Sequence, residues 1–401
     1  MNSRKAFPRL SAVRFSVTSS DIFEKRRITR KRIVSVILVL MMLFLCACSK
    51  AQDNTKKEST ENMENMNINA PALLFPTDGY TFDTHTDIQN GFIEKVTDEG
   101  IDEALVWLEG VKNDTEQSHP EALFFSWENN GSETYIFELS EAEDFSDSYK
   151  KEYTGTSCEM YNLKVGTKYY WRVNGAEAQS FTTEDNIFRF LKLDGALNVR
   201  DVGGNNIKQG LVYRGSDIIT TFPLSEEGKY HFTDVLGIKT EIELRKETSG
   251  TASAVGDRVA YKHLPYRPYK EIFLEENKKG IAEIMEFLSD EENYPVYIHC
   301  LGGADRTGMI AIYLRALAGE SDDIIHLDYE LTSLSTYAGG LAEGAEANGF
   351  RSINYDYYTE FLSMLNEYAP GEPLSVQVRA FLKDCGVTDE CMDKIVDIIK
   401  K

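Results

Sequence analysis

The sequence predicts an all-β sandwich followed by an α/β domain. Short alternating apolar runs separated by turn residues precede residue 186, and strands alternate with helical patterns after it. A chain of 401 residues with 42% hydrophobic content is long enough for two ordinary cores. The segments that we predict are a leader at 1–47, a tether at 48–66, the sandwich at 67–186 and the α/β domain at 187–401.

The leader joins a basic segment to an apolar one. It holds ten Lys/Arg against two acidic residues, and Ile33–Leu45 is almost continuously apolar but too short for a comfortable membrane span. With the small residues before Cys48, it resembles the lipobox of bacterial lipoproteins. The resemblance implies export, diacylation of Cys48 and anchoring of the chain at the bacterial cell membrane. A plain signal peptide or an uncleaved anchor helix is the alternative, and either would also export the chain.

Residues 48–401 form a strongly acidic body. They contain 33 basic and 63 acidic residues, a net charge of −30. Such a surface repels nucleic acid, which is therefore excluded as a partner. It also repels phosphorylated molecules at long range, so a phosphate site must be locally positive and built from backbone amides and an arginine. The polar segment that follows Cys48 is typical of a solvated tether.

The predicted sandwich contains strands at Leu123–Trp127, Thr134–Leu139 and Tyr169–Val173. Helix-like spacing over 98–112 indicates an insertion or an adjoining helix. From about residue 118 to 184, the chain resembles a fibronectin type III module. The resemblance rests on the segments LSEAEDFSDS, LKVGTKYYWRV and QSFTTE. The resemblance implies a β-sandwich that takes a cell-surface protein or a glycan as its partner. We expect the tryptophans of these strands to be core residues rather than ligand platforms.

In the α/β domain, alternating patterns predict several strands and helices. Strands are expected at Ile238–Leu244, Val259–Leu264 and Val296–His299, a helix at Lys278–Ser289, a helix starting at Met309, and two short helices over 374–401, the second with Thr388 as N-cap. At this length six cysteines do not indicate a disulfide scaffold. Whether Cys385 and Cys391 pair with each other is left open.

The stretch HCLGGADRTG, from His299 to Gly308, has the residues of an anion site. A strand, a tight loop and a helix N-terminus bind anions through backbone N–H groups, and glycines allow the backbone angles that such a loop needs. Five residues separate Cys300 from Arg306, so the two side chains can meet over one phosphate. The predicted phosphate-binding residues are Leu301, Gly302, Gly303, Ala304, Asp305 and Arg306.

These residue types indicate nucleophilic catalysis. N–H donors and a helix N-terminus lower the pKa of a thiol, which makes Cys300 a thiolate nucleophile. The planar fork of Arg306 grips two phosphoryl oxygens. Attack of the thiolate on phosphorus gives a phosphocysteine that water hydrolyses, and this route requires neither metal nor cofactor. Thr307 is placed to donate to the departing thiolate in the second step.

The loop resembles the HCxxGxxR(S/T)G signature of the protein tyrosine phosphatase superfamily, in particular the branch with HCxxGKDRTG. Upstream, LNVRDVGG resembles that branch's NFRDLGG, and LGIKTEIELR resembles its LGIKTVIDLR; DYELT and GVTDE also correspond. The resemblance spans about 193–401 and implies an α/β phosphatase with a central sheet flanked by helices. Members of the branch include secreted bacterial phosphatases acting on phosphotyrosine, phosphoserine/threonine and phosphoinositides.

The resemblance also implies residue roles. Asp305, just before the arginine, is expected to be the general acid that protonates the leaving oxygen. A structural carboxylate that orients the arginine is the alternative role for Asp305, and Asp201 and Asp217 are weaker candidates for the acid.

Further residues are expected to support the loop. His299 would order the cysteine loop, and Asn198, Arg200 and Asp201 would frame the active site. The other histidines are scattered along the chain and do not indicate a metal site.

The predicted function is that of an exported, membrane-anchored phosphomonoesterase, a protein-tyrosine or dual-specificity phosphatase. Ala304 replaces the lysine that often engages extra phosphates in this branch, which disfavours a phosphoinositide substrate. Two alternatives stay open: a phosphatase for phospholipids or inositol phosphates, and a catalytically weak surface-binding protein.

Overall fold

The computed structural model describes residues 70–112, 115–246, 250–336 and 349–401, without the side chains of 349–356. The predicted leader, Cys48 and the tether lie outside the described residues. Within the described ranges, no helix combines the length and the apolarity needed to cross a bilayer.

Strands in two sheets form a sandwich in the N-terminal half. They are β1 (Leu73–Phe75), β2 (Tyr80–Phe82), β3 (Leu123–Trp127), β4 (Tyr135–Ser140), β5 (Ser148–Tyr153), β6 (Ser157–Met160), β7 (Lys168–Val173) and β8 (Gln179–Thr183). One sheet has the order β1-β3-β6 and the other β2-β8-β7-β4-β5. Because alternate side chains point to opposite faces of a strand, both sheets supply one shared core, which contains Trp127 and Trp171. The expectation that these tryptophans are core residues is confirmed.

Two helices, α1 (Asp87–Asp98) and α2 (Ile101–Val111), connect β2 to β3. The spacing over 98–112 predicted α2 but not α1, which begins at a capping box formed by Thr86 and Gln89. Apolar residues of these helices and of the C-terminal half form one separate cluster: Phe92, Ala104, Leu105, Leu108, Phe188, Phe190, Leu327, Leu331 and Leu334. The insertion therefore packs as part of the C-terminal half.

A mixed sheet organises that C-terminal half. Its strands are β9 (Arg189–Phe190), β10 (Arg200–Asp201), β11 (Val212–Gly215), β12 (Thr240–Glu243), β13 (Ala260–His263) and β14 (Val296–His299), in the order β13-β12-β14-β11-β10-β9. The first four in that order run parallel to one another, β10 runs antiparallel to β11, and β9 runs antiparallel to β10. Strand β14 lies between β12 and β11, so the loop that follows it starts at the centre of the sheet's carboxyl edge.

Helices surround the sheet. They are α3 (Glu226–Tyr230), α4 (Glu275–Leu288), α5 (Asp305–Leu317), α6 (Asp322–Glu330), α7 (Gly349–Asn366), α8 (Leu374–Asp384) and α9 (Asp389–Ile399), with a π-helical turn at His231–Val235 and 3-10 turns at Gly256–Arg258, Tyr269–Phe273, Glu291–Asn293 and Leu331–Leu334. Thr388 caps α9 by accepting from the N–H of Cys391, as predicted. Cys385 and Cys391 are free thiols.

Helix α5 begins at Asp305, four residues before the predicted start at Met309. The prediction was late because the end of the loop itself forms the first helical turn. From Thr307 to Leu317 every residue of α5 is buried. A helix enclosed on all sides carries apolar residues on every face, here with the ion-paired Arg315 among them, which is why its sequence has little amphipathic pattern.

We expect Phe125→Ala to destabilise the sandwich selectively. The Phe125 ring is fully buried and makes edge contacts with Phe137, Trp171 and Phe181. Its removal leaves a cavity that lowers the free energy of unfolding by about 3–5 kcal/mol. Phe124 on the same strand is 47% exposed, and Phe124→Ala should change the free energy by less than about 1 kcal/mol. Urea unfolding followed by tryptophan fluorescence measures both, and equal effects would contradict the expectation.

Candidate active site

The predicted loop lies between β14 and α5. Cys300 directly follows the strand and is 2% exposed. No side chain caps the N-terminus of α5, whose N-cap residue is Ala304. Because the first N–H groups of a helix have no partner within it, they remain available to an anion held in the loop.

Three consecutive loop carbonyls point away from the loop centre. The carbonyl oxygen of Leu301 accepts from the N–H of Asp217 at 2.9 Å, that of Gly302 from Asn198 Nδ2 at 3.0 Å, and that of Gly303 from Arg214 Nη2 at 2.8 Å. In a trans peptide the C=O and the following N–H point in opposite directions. Holding these carbonyls outward therefore turns the next three N–H groups inward, toward the position of a phosphate.

The side chains that hold the carbonyls are themselves fixed by a buried ion network. Asp328 accepts from Arg200 Nε at 2.9 Å and from Arg214 Nη1 at 2.5 Å, and Arg200 Nη1 donates to Asn198 Oδ1 at 2.6 Å. All four residues are buried. Burial alone would raise the pKa of Asp328, but the neighbouring arginines hold it well below its usual range. Asp328 thus stays charged and keeps the network closed.

Close backbone packing also fixes the loop. Gly303 has φ +67°, and a Cβ placed there would lie 2.4 Å from the carbonyl carbon and oxygen of Gly215 at the end of β11. Only glycine adopts this conformation freely and fits against that backbone. The loop therefore sits directly on the sheet edge.

The loop arginine and the threonine after it have polar atoms without a hydrogen-bond partner in the described part of the chain. Arg306 Nε and Thr307 Oγ1 are buried but make no hydrogen bond within the described part of the chain. A buried polar group without a partner is unfavourable unless a ligand supplies the bond. A phosphoryl group over the loop would satisfy the guanidinium.

His299 lies behind the cysteine and contacts two glutamates. Its Nε2 is 3.0 Å from Glu241 Oε1, and its Nδ1 is 3.3 Å from the Cys300 carbonyl oxygen. Burial favours the neutral imidazole, but the hydrogen bond to Glu241 and the charges of Glu243 and Glu241 outweigh it and raise the pKa of His299. His299 is thereby held against Glu241 and Glu243 directly beside the cysteine.

Asp217, Glu243 and His299 lie close enough together to resemble a metal-ligand group. Arg245 Nη2, however, donates to Asp217 at 3.0 Å and to Glu243 at 2.6 Å. A guanidinium thus already pairs with both carboxylates, and the group forms an ion-pair network with His299.

Asp305 has the properties of a proton donor. It is half-buried beside Arg306 at the start of α5, and its Oδ1 accepts from Tyr269 Oη. Burial raises the pKa of Asp305, while the Tyr269 hydrogen bond and the Arg306 charge act in the opposite direction. A raised pKa keeps the carboxyl group protonated to higher pH, as a general acid requires.

The two weaker candidates are differently placed. Burial tends to raise the pKa of Asp217, but hydrogen bonds from Thr221, Ile219 and Thr220 lower it to about 2. Asp201 is fully buried and accepts from Arg189 Nη1 at 2.8 Å and from the N–H groups of Gly203 and Gly210. Asp201 therefore supports the fold around Arg189, whereas its neighbour Arg200 supports the loop.

Several residues around the loop were not predicted as site residues. Arg214 is a charge inside the otherwise apolar strand LVYRG, and Asp328 opens the DYELT motif; both features were visible in the sequence. Tyr266 Oη donates to the Arg306 carbonyl oxygen, and Tyr269 contacts Asp305. Nothing in the local sequence distinguishes these two tyrosines, because their contacts cross 40 and 36 residues.

The C-terminal half of the chain is similar to known proteins. A family model described as "Tyrosine phosphatase family" matches residues 191–400, just over half of the chain. Among solved structures, the core catalytic domain of the PP-IP phosphatase SIW14 from S. cerevisiae is 18% identical, with 41% of this chain and 95% of that chain covered and a TM-score of 0.25. TpbA of P. aeruginosa is also 18% identical, with 39% and 88% covered and a TM-score of 0.25. No curated protein matches the chain significantly.

We expect Gly303→Ala to abolish most of the turnover without unfolding the protein. The new methyl group must displace the loop from Gly215, and a misplacement of about 1 Å lowers kcat/KM by roughly 10²-fold. Hydrolysis of p-nitrophenyl phosphate measures the loss. Gly110→Ala, at a helical position with open space around it, is the matched control and should retain full activity. Full activity of Gly303→Ala would contradict the described loop.

Proposed function

Because the chain belongs to the tyrosine phosphatase family and is a phosphoric monoester hydrolase, we propose that it dephosphorylates tyrosine side chains, and serine or threonine more slowly. The observation that carries this proposal is the composition of the loop. Its phosphate-binding groups are a single guanidinium and neutral inward N–H donors, and the buried Ala304 offers no second charge. A site of this kind matches one phosphate on an otherwise neutral side chain better than a polyphosphate.

The proposed reaction has two steps on the same loop. The Cys300 thiolate attacks phosphorus in line, the S–P bond forms, and the ester P–O bond breaks while Asp305 gives its proton to the leaving oxygen. Arg306 and the loop N–H groups hold the non-bridging oxygens throughout. Water then attacks phosphorus, Asp305 takes a proton from it, and the thiolate leaves with a hydrogen bond from Thr307.

We propose in addition that the enzyme works outside the cytoplasm, anchored through a diacylated Cys48. The basic-apolar leader supports this location. In this proposal the fibronectin type III-like sandwich binds a cell-surface protein or a glycan. Its strands and shared aromatic core are compatible with such a module.

Cys300→Ser should lower the hydrolysis of a phosphotyrosine peptide by roughly 10³-fold or more, because the nucleophile of both steps is lost. A chelator should leave the wild-type rate unchanged, since no step uses a metal. Cys391→Ser, a buried thiol on α9, is the control that should keep wild-type turnover. Retained turnover in Cys300→Ser would refute the mechanism.

The same wild-type protein should hydrolyse phosphotyrosine peptides with a higher kcat/KM than phosphoinositides or inositol phosphates. A preference for the inositol compounds would replace the proposed substrate with the phospholipid or inositol phosphate class. Binding of phosphopeptide without turnover of any compound would favour the surface-binding alternative.

Cys48→Ser should release the full-length chain from the membrane fraction of a bacterial host, because a serine is not diacylated. Immunoblots of membrane and soluble fractions measure the distribution, with Cys158→Ser as the control that stays at the membrane. Membrane retention of Cys48→Ser would exclude the lipid anchor and favour an uncleaved leader helix.

A further inference from the structure

A chain of hydroxyl groups leads to the carboxyl group of Asp305. Tyr269 Oη donates to Asp305 Oδ1 and lies 2.8 Å from Tyr329 Oη. A phenol has one hydrogen to donate. Since Tyr269 gives its hydrogen to Asp305, Tyr329 must donate to Tyr269. The hydrogen bonds therefore run in one direction, from Tyr329 through Tyr269 to Asp305.

This direction determines which carboxyl oxygen carries the proton. Oδ1 accepts the Tyr269 hydrogen, which leaves the other oxygen, Oδ2, to carry and present the acidic proton of Asp305. When Asp305 releases that proton, the same hydrogen bond stabilises the carboxylate that remains. A single tyrosine hydroxyl thus orients the acid before the transfer and stabilises it afterwards.

The position of Tyr269 is tightly determined. The residue is buried, and its φ of +58° lies in the left-handed region that non-glycine residues rarely adopt. Its N–H donates to Met309 Sδ at 3.2 Å, and its ring lies 5.8 Å from that of Tyr357. Behind it, the Tyr329 ring stacks on Tyr358 at 3.8 Å. Such unfavourable backbone angles persist where surrounding packing imposes them, and they concentrate at functional sites.

The groups around the acid are consistent with a donor role for Tyr269. Asp305 is faced by Tyr269, by the charge of Arg306 and by Tyr266, with Tyr329 behind. Burial and the Asp305 charge raise the pKa of Tyr269, so its phenol stays protonated and continues to donate. Loss of this hydroxyl removes an influence that lowers the pKa of Asp305.

We propose that Tyr269 is a positioning residue for the general acid: its hydroxyl, backed by Tyr329, orients the Asp305 carboxyl so that Oδ2 presents the proton to the leaving oxygen. The inference rests on the proposed function, in which Asp305 is that acid.

Tyr269→Phe in the full chain tests the proposal. Turnover of a phosphoserine peptide, whose leaving oxygen needs a proton, should fall by about tenfold, while that of p-nitrophenyl phosphate falls less. KM should stay unchanged, because the phosphate ligands are intact. The acid must be protonated to act, so kcat declines as pH rises through its pKa. This decline is the alkaline limb of the plot of kcat against pH. With the hydroxyl removed, the alkaline limb should shift to higher pH by about one unit.

Tyr294→Phe is the matched control. It removes an equally buried hydroxyl, which donates to the Leu288 carbonyl oxygen at 2.7 Å, and should leave both the limb and the leaving-group dependence unchanged. Asp305→Asn should abolish the alkaline limb, and Tyr269→Phe added to Asp305→Asn should cause no further loss of kcat.

The outcomes distinguish a failure of the general-acid assignment from a failure of the positioning role. An alkaline limb that survives Asp305→Asn would overturn the general-acid assignment of the proposed function. A limb that is lost in Asp305→Asn but stays at the wild-type pH in Tyr269→Phe, with unchanged leaving-group dependence, would overturn the positioning role alone.

Discussion

The buried contact of Asp328 with Arg200 and Arg214 is the constraint on which the active-site loop depends. Two of the three outward carbonyls are held by this network, one by Arg214 directly and one through Asn198. Buried ions are strongly unfavourable when one partner is missing. The network therefore tolerates few alternative arrangements, and it fixes the backbone of the loop that it supports. Such preorganisation is what an electrostatic site needs.

The same network connects the loop to the rest of the described chain. Arg200 and Asp201 are neighbours on β10 whose side chains contact different partners. Arg200 donates to Asp328, and Asp201 accepts from Arg189. Arg189 in turn donates to the carbonyl oxygens of Asn162 and Leu163, which follow β6 of the sandwich. Helices α1 and α2 pack against residues of α6 and its extension, and α6 carries Asp328. The sandwich and its insertion thus brace the elements that hold the loop.

Charge placement resolves an apparent conflict between the acidic body and an anionic substrate. Over residues 48–401 the net charge is −30, yet within the described residues Arg200, Arg214 and Arg315 lie buried together and form ion pairs with two acids, Asp328 and Glu320. The excess positive charge of this network is screened little by salt, because it is buried. Attraction for phosphate is therefore confined to the loop itself, as the sequence required of any phosphate site.

The sequence by itself determined the features that depend on neighbouring residues. The order strand, Cys300, glycines, Arg306 and helix is local, so it was visible directly, as were β3, β14 and the cap at Thr388. Only the tertiary structure decided which distant side chains support the loop: Asp328 lies 114 residues from Arg214, and Tyr269 lies 36 residues from Asp305. It also separated the three candidate acids: burial raises the pKa of Asp305, hydrogen bonds lower that of Asp217, and Asp201 is ion-paired with Arg189. Contacts of this kind are set by how the elements pack, and no local pattern encodes them.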